Sequence, residues 1–504
     1  MGSGGFPWVI PYEMARLLLQ FFLCATLTLI TVARKPLIQH SLTVYPQVFE
    51  DREDESKKLV IIHEGHSLKL SKGTVLSESV LLRDLTESGV KETYIDGRQH
   101  EKDLYQDVET QASLLVKPQA AGHYHIVGLI NSTHLIEPIG RMERSSIAGI
   151  AHRITAIPEH NGIIGALEAD QGFPHVEPRE IKEETPILPQ NFTVEMMVYS
   201  DYYHTMFMEA TQDGLGYLIV LMLAVSLRMQ QLTPPGSIAV TAIQRSWTPN
   251  ETYVNLYSEN QLLGSETLKT MAKIANRSHH EQLADVVFLL TGRSIVQYKK
   301  SKNATEIDTE NAGLAYTGSA CRYLKVGVAV DYPGYYMAVN IITHELSHSL
   351  NASHDGQKDA KNCSGEHEHL MNTHVGGKQN HLYSSCSKRS IRKFLMSKNG
   401  SCLRHKINEG YLFEVPHGYL QRKAPFLDGT DYCNRFFPDY SEVEYVEPQH
   451  PVNGCRIKCK FGDTDNELRE AKLIVPNGTP CKSSIGGIGK KVCHNGFCVP
   501  KRKK

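Results

Sequence analysis

Between Cys24 and Cys321 this 504-residue chain contains no cysteine, so no disulfide staples that stretch. Net charge is nearly absent as well. The 54 basic and 55 acidic side chains leave −1 at pH 7, with a pI near 7.1. A surface so balanced gives nucleic acid no electrostatic footing. Long apolar runs are few: Leu218 to Leu227 is too short to cross a bilayer and is followed at once by Arg228, which reads as a buried helix. No internal repeat is visible, and no nucleophile elbow of the serine-hydrolase kind.

What is present at the start reads as an export signal. Arg16 precedes LLLQFFLCATLTLITVA, Leu17 to Ala33, with a small residue at a cut after Ala33. An uncleaved anchor is the alternative, and about 17 residues with Gln20 inside are short for one. Removing Cys24 with the signal leaves 11 − 1 = 10 cysteines, all from Cys321 to Cys498. An even number suits a disulfide framework in a secreted protein, and nine N-x-S/T sequons fit the same route. The expected location is therefore extracellular, with no membrane span after signal removal.

Residues 34–188 mix β-rich segments (KLVIIHEG, HYHIVGLI, STHLIEPIG) with charged loops and end in the Pro- and Glu-rich linker HVEPREIKEETPILPQ. From 189 to 405 strands and helices alternate: FTVEMMVYS, a helix over Gly216 to Leu232, SIAVTAIQ, a helix around Glu266 to Ile274, and a strand from Asp285 to Thr291. That alternation predicts an α/β domain on a mixed sheet. From 406 to 504 these signals fade and six cysteines crowd into what reads as a small stapled module.

The most informative stretch is HELSHSLNASHD, His344 to Asp355, after the strand VGVAVDY and a Pro333-Gly334 turn. Ile342, Leu346 and Leu350 recur every four residues and predict a helix with one apolar stripe. His344 and His348 share that spacing about 200° away, presenting two imidazoles one turn apart to a single zinc ion. Glu345 can take a proton from water activated by the metal and pass it to a leaving amine. A continued helix would turn His354 about 240° away, so the chain must turn sharply near residue 351 for His354 to be the third ligand. Asn351 tolerates the left-handed conformation such a turn needs. It also opens an Asn-Ala-Ser sequon, expected to be unused. Asp355 is read as orienting the site. HExxH alone arises by chance in roughly one chain in ten or twenty of this length, and His-Asp at the required offset lowers that about four-hundredfold.

These residues, with Met371 in HLMNTH, resemble the metzincin metallopeptidases, whose methionine turn underlies the three histidines. FTVEMMVYSDYYH, DVVFLLTGRS, GLAYTGSACR and CSKRSIRKFLMSKNGSCL narrow the resemblance to the adamalysin/reprolysin catalytic domain. VYPQVFEDR and LYQDVETQASLLVKPQ are similar to that group's propeptides. The tail NGTPCKSSIGGIGKKVCHNGFCV is similar to the Cys-rich module of tick salivary-gland metalloproteases and, more distantly, of ADAMTS proteins. The resemblance implies a signal peptide at 1–33, a β-rich propeptide at 34–188, a metzincin-type α/β catalytic domain at 189–405 and a disulfide-rich module at 406–504. It implies a cleft whose upper edge strand is Gly313 to Ala320, where an extended substrate pairs through its backbone. It also implies the pairs Cys321–Cys402 and Cys363–Cys386, and a structural calcium ion at Glu195, Asp285 and the Cys402 carbonyl. His405 stands where the calcium pattern has asparagine.

Many relatives silence zinc with a propeptide cysteine, and this chain has none. An inhibitory propeptide must then block the cleft or offer another ligand; His123 and His125, alternate on one strand face, read as ordinary strand residues. Arg141-Met-Glu-Arg144 fits a minimal convertase pattern but lies well before the catalytic start, so a cut within 175–190 is better placed. The leading expectation is a zinc endopeptidase made as a zymogen, acting on extracellular proteins such as fibrinogen, fibronectin and gelatin. The competing one is a matrix- or receptor-binding protein, through the Cys-rich module, whose protease domain is weak or inert. Zinc held by histidines predicts activity falling as pH drops towards 5 to 6.

Overall fold

The computed structural model describes residues 41–50, 54, 56–139, 149–158, 163–167, 188–210, 213–277, 279–300, 305–374, 376–404, 411–413, 429–437, 440–446, 452–453, 456–462, 469–475, 479–482, 491–494 and 497–500. The expected signal peptide, Arg141 to Arg144, most of the linker, His405, Cys455 and the basic terminus lie outside the described residues.

The N-terminal segment is β-rich. Its strands are β1 (Leu42–Val44), β2 (Gln47–Glu50), β3 (Lys57–His63), β4 (His66–Lys72), β5 (Leu76–Thr86), β6 (Gly89–Asp96), β7 (Leu104–Asp107), β8 (Ala112–Pro118), β9 (Tyr124–Leu129), β10 (His134–Pro138), β11 (His152–Ala156) and β12 (Ile163–Leu167). Most form one sheet in the order β11-β10-β9-β8-β7-β4-β3-β2. Val60, Ile62, Leu68 and Leu70 alternate inward from β3 and β4 and pack with Leu114 and Ile126, the period-2 pattern of a sheet with one buried face.

β5 and β6 leave that sheet and join another. It contains β13 (Phe192–Ser200), β14 (Gly236–Ser246), β15 (Leu256–Ser258), β16 (Gln261–Leu263), β17 (Val286–Thr291), β18 (Ser294–Lys300), β19 (Thr305–Tyr316) and β20 (Val326–Val330). Its order is β15-β16-β18-β19-β20-β17-β13-β14-β5-β6. The central strands β20, β17, β13 and β14 are parallel, and β19 runs antiparallel to β20. All of β13, β17 and β20 is buried, which explains the apolar runs of β17 and β20.

Among the described residues the longer helices that pack around this sheet are α1 (Tyr202–Ala210), α2 (Gly214–Met229), α3 (Gly264–Ala275), α4 (Ala338–Ser349) and α5 (Ser385–Leu395). Asp213 caps α2 by accepting from the Gly216 N–H at 2.8 Å. Every residue of α2 except Leu215 is buried. The apolar run that is too short for a membrane is therefore a core helix, packed with α4 on one face of the sheet. Among the described residues no single helix is long and apolar enough to cross a membrane; α1 and α2 pass such a test only as a pair bent by 106°.

Two expectations change. The strand expected over Gly313 to Ala320 is Thr305–Tyr316, because Gly318 and Ala320 turn away to bond the His348 and Ser349 carbonyls at the end of α4. The C-terminal region also holds more regular structure than its sequence signals suggest. Arg456–Gly462 and Arg469–Ile474 pair antiparallel, over a small core containing Phe437, Phe461 and the Cys433–Cys459 disulfide. Covalent stapling lets short strands persist that a small core alone would not hold.

Candidate metal centre

α4 follows β20 through the turn at Pro333 and Gly334 and places His344, Glu345 and His348 inside the protein, all fully buried. The helix ends where Asn351 takes φ +74, and its N–H donates to the His348 carbonyl at 2.7 Å. Asn351 thus occupies the left-handed conformation that glycine would take. Its amide leaves room only for Gly318 opposite, where an added Cβ would lie 2.7 Å from Asn351 Oδ1. Beyond the turn the chain doubles back and His354, largely buried, rejoins the other two.

The three Nε2 atoms form a nearly equilateral triangle: His344 to His348 is 3.0 Å, and each lies 3.1 Å from His354. His344 Nδ1 donates to the Leu370 carbonyl at 2.6 Å, and His348 Nδ1 to the Ala352 carbonyl at 2.7 Å. With their protons on Nδ1, these two rings meet Nε2 to Nε2 with bare lone pairs, which repel unless a cation lies between them. Converging neutral imidazoles are the donor set that zinc takes at about 2.0–2.1 Å per bond. The residues fit the ion.

Glu345 is fully buried, and neither carboxylate oxygen has a hydrogen-bond partner among the described residues. Burial alone pushes its carboxyl well above the usual carboxylate range. It sits against the cleft strand: an added Cβ on Gly313 would lie 2.9 Å from Glu345 Oε1. Met371 is buried in the core with Leu346 and Leu350, and its carbonyl accepts from the Asp355 N–H at 2.9 Å. Asp355 makes no hydrogen bond to the imidazoles. Its Oδ1 accepts from Ser384 Oγ at 2.6 Å, and Ser384 caps α5, so Asp355 ties the methionine turn to that helix. The structure joins Cys321 to Cys402 and Cys363 to Cys386. Glu195 on β13 and Asp285 just before β17 are both buried, with the Glu195 N–H donating to Asp285 Oδ2 at 2.9 Å. Cys321 and Cys402 approach Asp285 as well, but as a disulfide they offer no thiolate.

Sequence reasoning missed the second layer of the site, since the Leu370 and Ala352 carbonyls carry no residue-type signal. It also missed β12. This strand lies beside β19, pairing Ile164 to Leu167 in parallel with Gly313 to Tyr316, and the Leu167 carbonyl accepts from the Thr317 N–H at 3.1 Å. A second constellation is a decoy. Ser200, His204 and Asp331 line up at 2.7 and 2.9 Å like a charge relay, but all three are fully buried, where no substrate reaches them.

Burial, with the neighbouring imidazoles, holds His344 well below its ordinary value; burial pushes His348 down to about 3 and His354 to about 4. A histidine depressed in the fold stays neutral there, its lone pair free for a metal, below its unfolded value near 6.5, while the stability of the fold is lost progressively between that value and the folded one. The structure therefore moves the expected loss to lower pH than 5 to 6. The full chain should keep its zinc after dialysis at about pH 5.5 and release it near about pH 4. Zinc analysis across that series checks this, and half-release above about pH 6 contradicts it.

A mixed sheet carrying a helix that gathers three imidazoles beside a buried glutamate defines a zinc metallopeptidase. Comparison with known proteins agrees. Residues 263–406 match the Reprolysin (M12B) family of zinc metalloproteases. The chain is 25% identical over 337 residues to venom metalloproteinase BumaMPs1 of Olivierus martensii, covering 64% of this chain and 79% of that one. It is 22% identical over 423 residues to venom metalloproteinase antarease TserMP_A of Tityus serrulatus, covering 77% and 98%. It is 26% identical over 200 residues to disintegrin and metalloproteinase domain-containing protein 9 of Homo sapiens, covering 38% and 22%. The chain carries a Reprolysin zinc metalloprotease domain and is a metalloendopeptidase.

Proposed function

We propose that the chain is a secreted zinc endopeptidase of extracellular proteins, made as a zymogen whose N-terminal segment keeps the cleft closed. The observation that carries the catalytic part is the Nε2 triangle of His344, His348 and His354 with Glu345 buried beside it. Zinc in such a site supplies Lewis acidity and makes water a nucleophile near neutral pH. Glu345 takes the proton from the attacking water and delivers it to the leaving amine. The Asn311–Tyr316 stretch of β19 offers backbone groups to an extended peptide, which fixes the scissile bond over the histidines.

Latency rests on the pairing of β12 with that same stretch. A chain segment that takes the backbone groups meant for substrate excludes substrate without any cysteine ligand. The tail's similarity to tick salivary modules points to fibrinogen, fibronectin and gelatin as substrates, with the Cys-rich module making matrix or receptor contacts. A structural calcium ion at Glu195, Asp285 and the Cys402 carbonyl belongs to the same reading, supported by two buried carboxylates whose residues are joined by a hydrogen bond.

The test is metal analysis of the purified chain, with cleavage of gelatin and fibrinogen before and after removal of residues 159–167. We expect one zinc and one calcium per chain, and chelator-sensitive cleavage that appears only after removal. Zinc without cleavage of any protein substrate would leave the matrix-binding reading in front. Absence of calcium would remove the second ion alone.

A further inference from the structure

The N-terminal segment is built into the catalytic body rather than laid over it. β5 pairs in parallel with β14, Leu81 to Leu85 beside Ala242 to Ser246, so the two parts share one sheet and β14 becomes an edge only if β5 leaves. On the other side, Leu104, Leu115 and Leu129 of β7, β8 and β9 enter the same core as Leu218 to Leu223 of α2. Ser113 Oγ donates to the Val220 carbonyl at 2.9 Å.

Buried charges span the same junction. Glu281, almost fully buried, accepts from Arg83 at 2.9 Å. Arg245 grips Asp84 with two bonds at 2.8 and 3.0 Å. Arg228, 1% exposed and held down to about 10 by burial, has no carboxylate partner among the described residues. Its Nε donates to Asn340 of α4 at 3.2 Å, and its other bond goes to Gln111 of the N-terminal segment. Stripping that segment away would bare an apolar helix face and leave Glu281 and Arg228 without partners supplied by it, a strongly disfavoured state.

We propose that residues 43–167 are a lasting subunit of this enzyme, which stays seated by non-covalent contacts after the linker at 168–187 is cut. β12 lies on the N-terminal side of that cut. Only six residues, 157–162, separate it from β11, so it remains at the cleft as an intramolecular competitor. Cutting the linker alone yields a nicked, still quiet protein. Retention follows from the interface itself, whereas the quiet cleft rests on the occlusion reading above.

The experiment inserts a site-specific protease sequence within 175–185 of the full chain, cuts it, and follows mass by light scattering at decreasing concentration. A second version carries a further site within 159–162. The nicked chain should keep the full mass, show two bands only under denaturing conditions, and remain inactive on a fluorogenic peptide. The doubly cut chain should keep the body of the N-terminal segment and gain activity as the β12 peptide leaves. Arg83→Met should speed dissociation of the nicked pair about tenfold or more. A folded catalytic piece that separates after the first cut overturns retention. Full mass with full activity after the first cut upholds retention and overturns occlusion.

Discussion

Glu345→Gln should lower turnover of the opened enzyme roughly a thousandfold, within the 10²–10⁴ typical of a general acid–base group, while zinc content stays at one per chain. The two results separate because Glu345 lies beside the histidine triangle without belonging to it. A third readout has the opposite sign. Burial raises the Glu345 carboxyl, so the folded state holds its proton more tightly than the unfolded state does. The group's stabilising contribution is present at low pH and is lost as pH rises above about 4.5, where the unfolded chain ionises. In chelator-treated protein at neutral pH, Gln removes that cost, and Tm should rise. A loss of activity accompanied by lower zinc, or a fall in Tm, would show that Glu345 shapes the site rather than acting as its base.

The second large effect lies away from the zinc. Arg293, 1% exposed, donates to Asp201 Oδ2 and forms an ion pair with Glu251 Oε2, both at 2.8 Å, and stacks over Tyr203 at 4.7 Å. Asp201 also accepts from the His204 and Gly292 N–H groups, which fixes the strand end that leads into α1. Arg293→Met leaves two buried carboxylates facing each other without their cation. Loss of one partner from a buried pair costs about 3–5 kcal/mol, and Tm should fall on the order of 10 °C at pH 7.5. Burial and the Asp201 charge already lift Glu251 to about 7. Without the guanidinium it rises further, and a raised carboxyl loses stability as pH increases. The deficit should therefore shrink when melting is repeated at about pH 5.5. Equal deficits at both pH values would mean that lost packing, not charge, dominates.

These two sites differ in how legible they are from the chain. The zinc set is local. Four of its residues fall within eleven positions, helical spacing aligns His344 and His348, and only one sharp turn is needed to recover His354. Even the departure at Asn351 could be judged in advance, because tolerance of φ > 0 belongs to the residue type. The strands β17 and β20 were readable for a similar reason, since strands buried on both faces are largely apolar.

Other features depend on partners far apart in sequence. Arg293 meets Asp201 across 92 residues, and Arg83 meets Glu281 across 198. No spacing rule links such positions, because a charged residue looks alike whether it is solvated or buried in a pair. β12 was hidden for another reason: Ile-Ile-Gly-Ala-Leu is an ordinary strand sequence, and strand pairing uses backbone groups that every residue has. By itself the sequence determined the donor set, three histidines placed to hold zinc beside a glutamate, because ligand type and helical spacing are local properties. Only the tertiary structure decided which strand lies beside β19 and which segment pairs with β14, because backbone pairing and charge burial are settled by what the rest of the fold brings alongside.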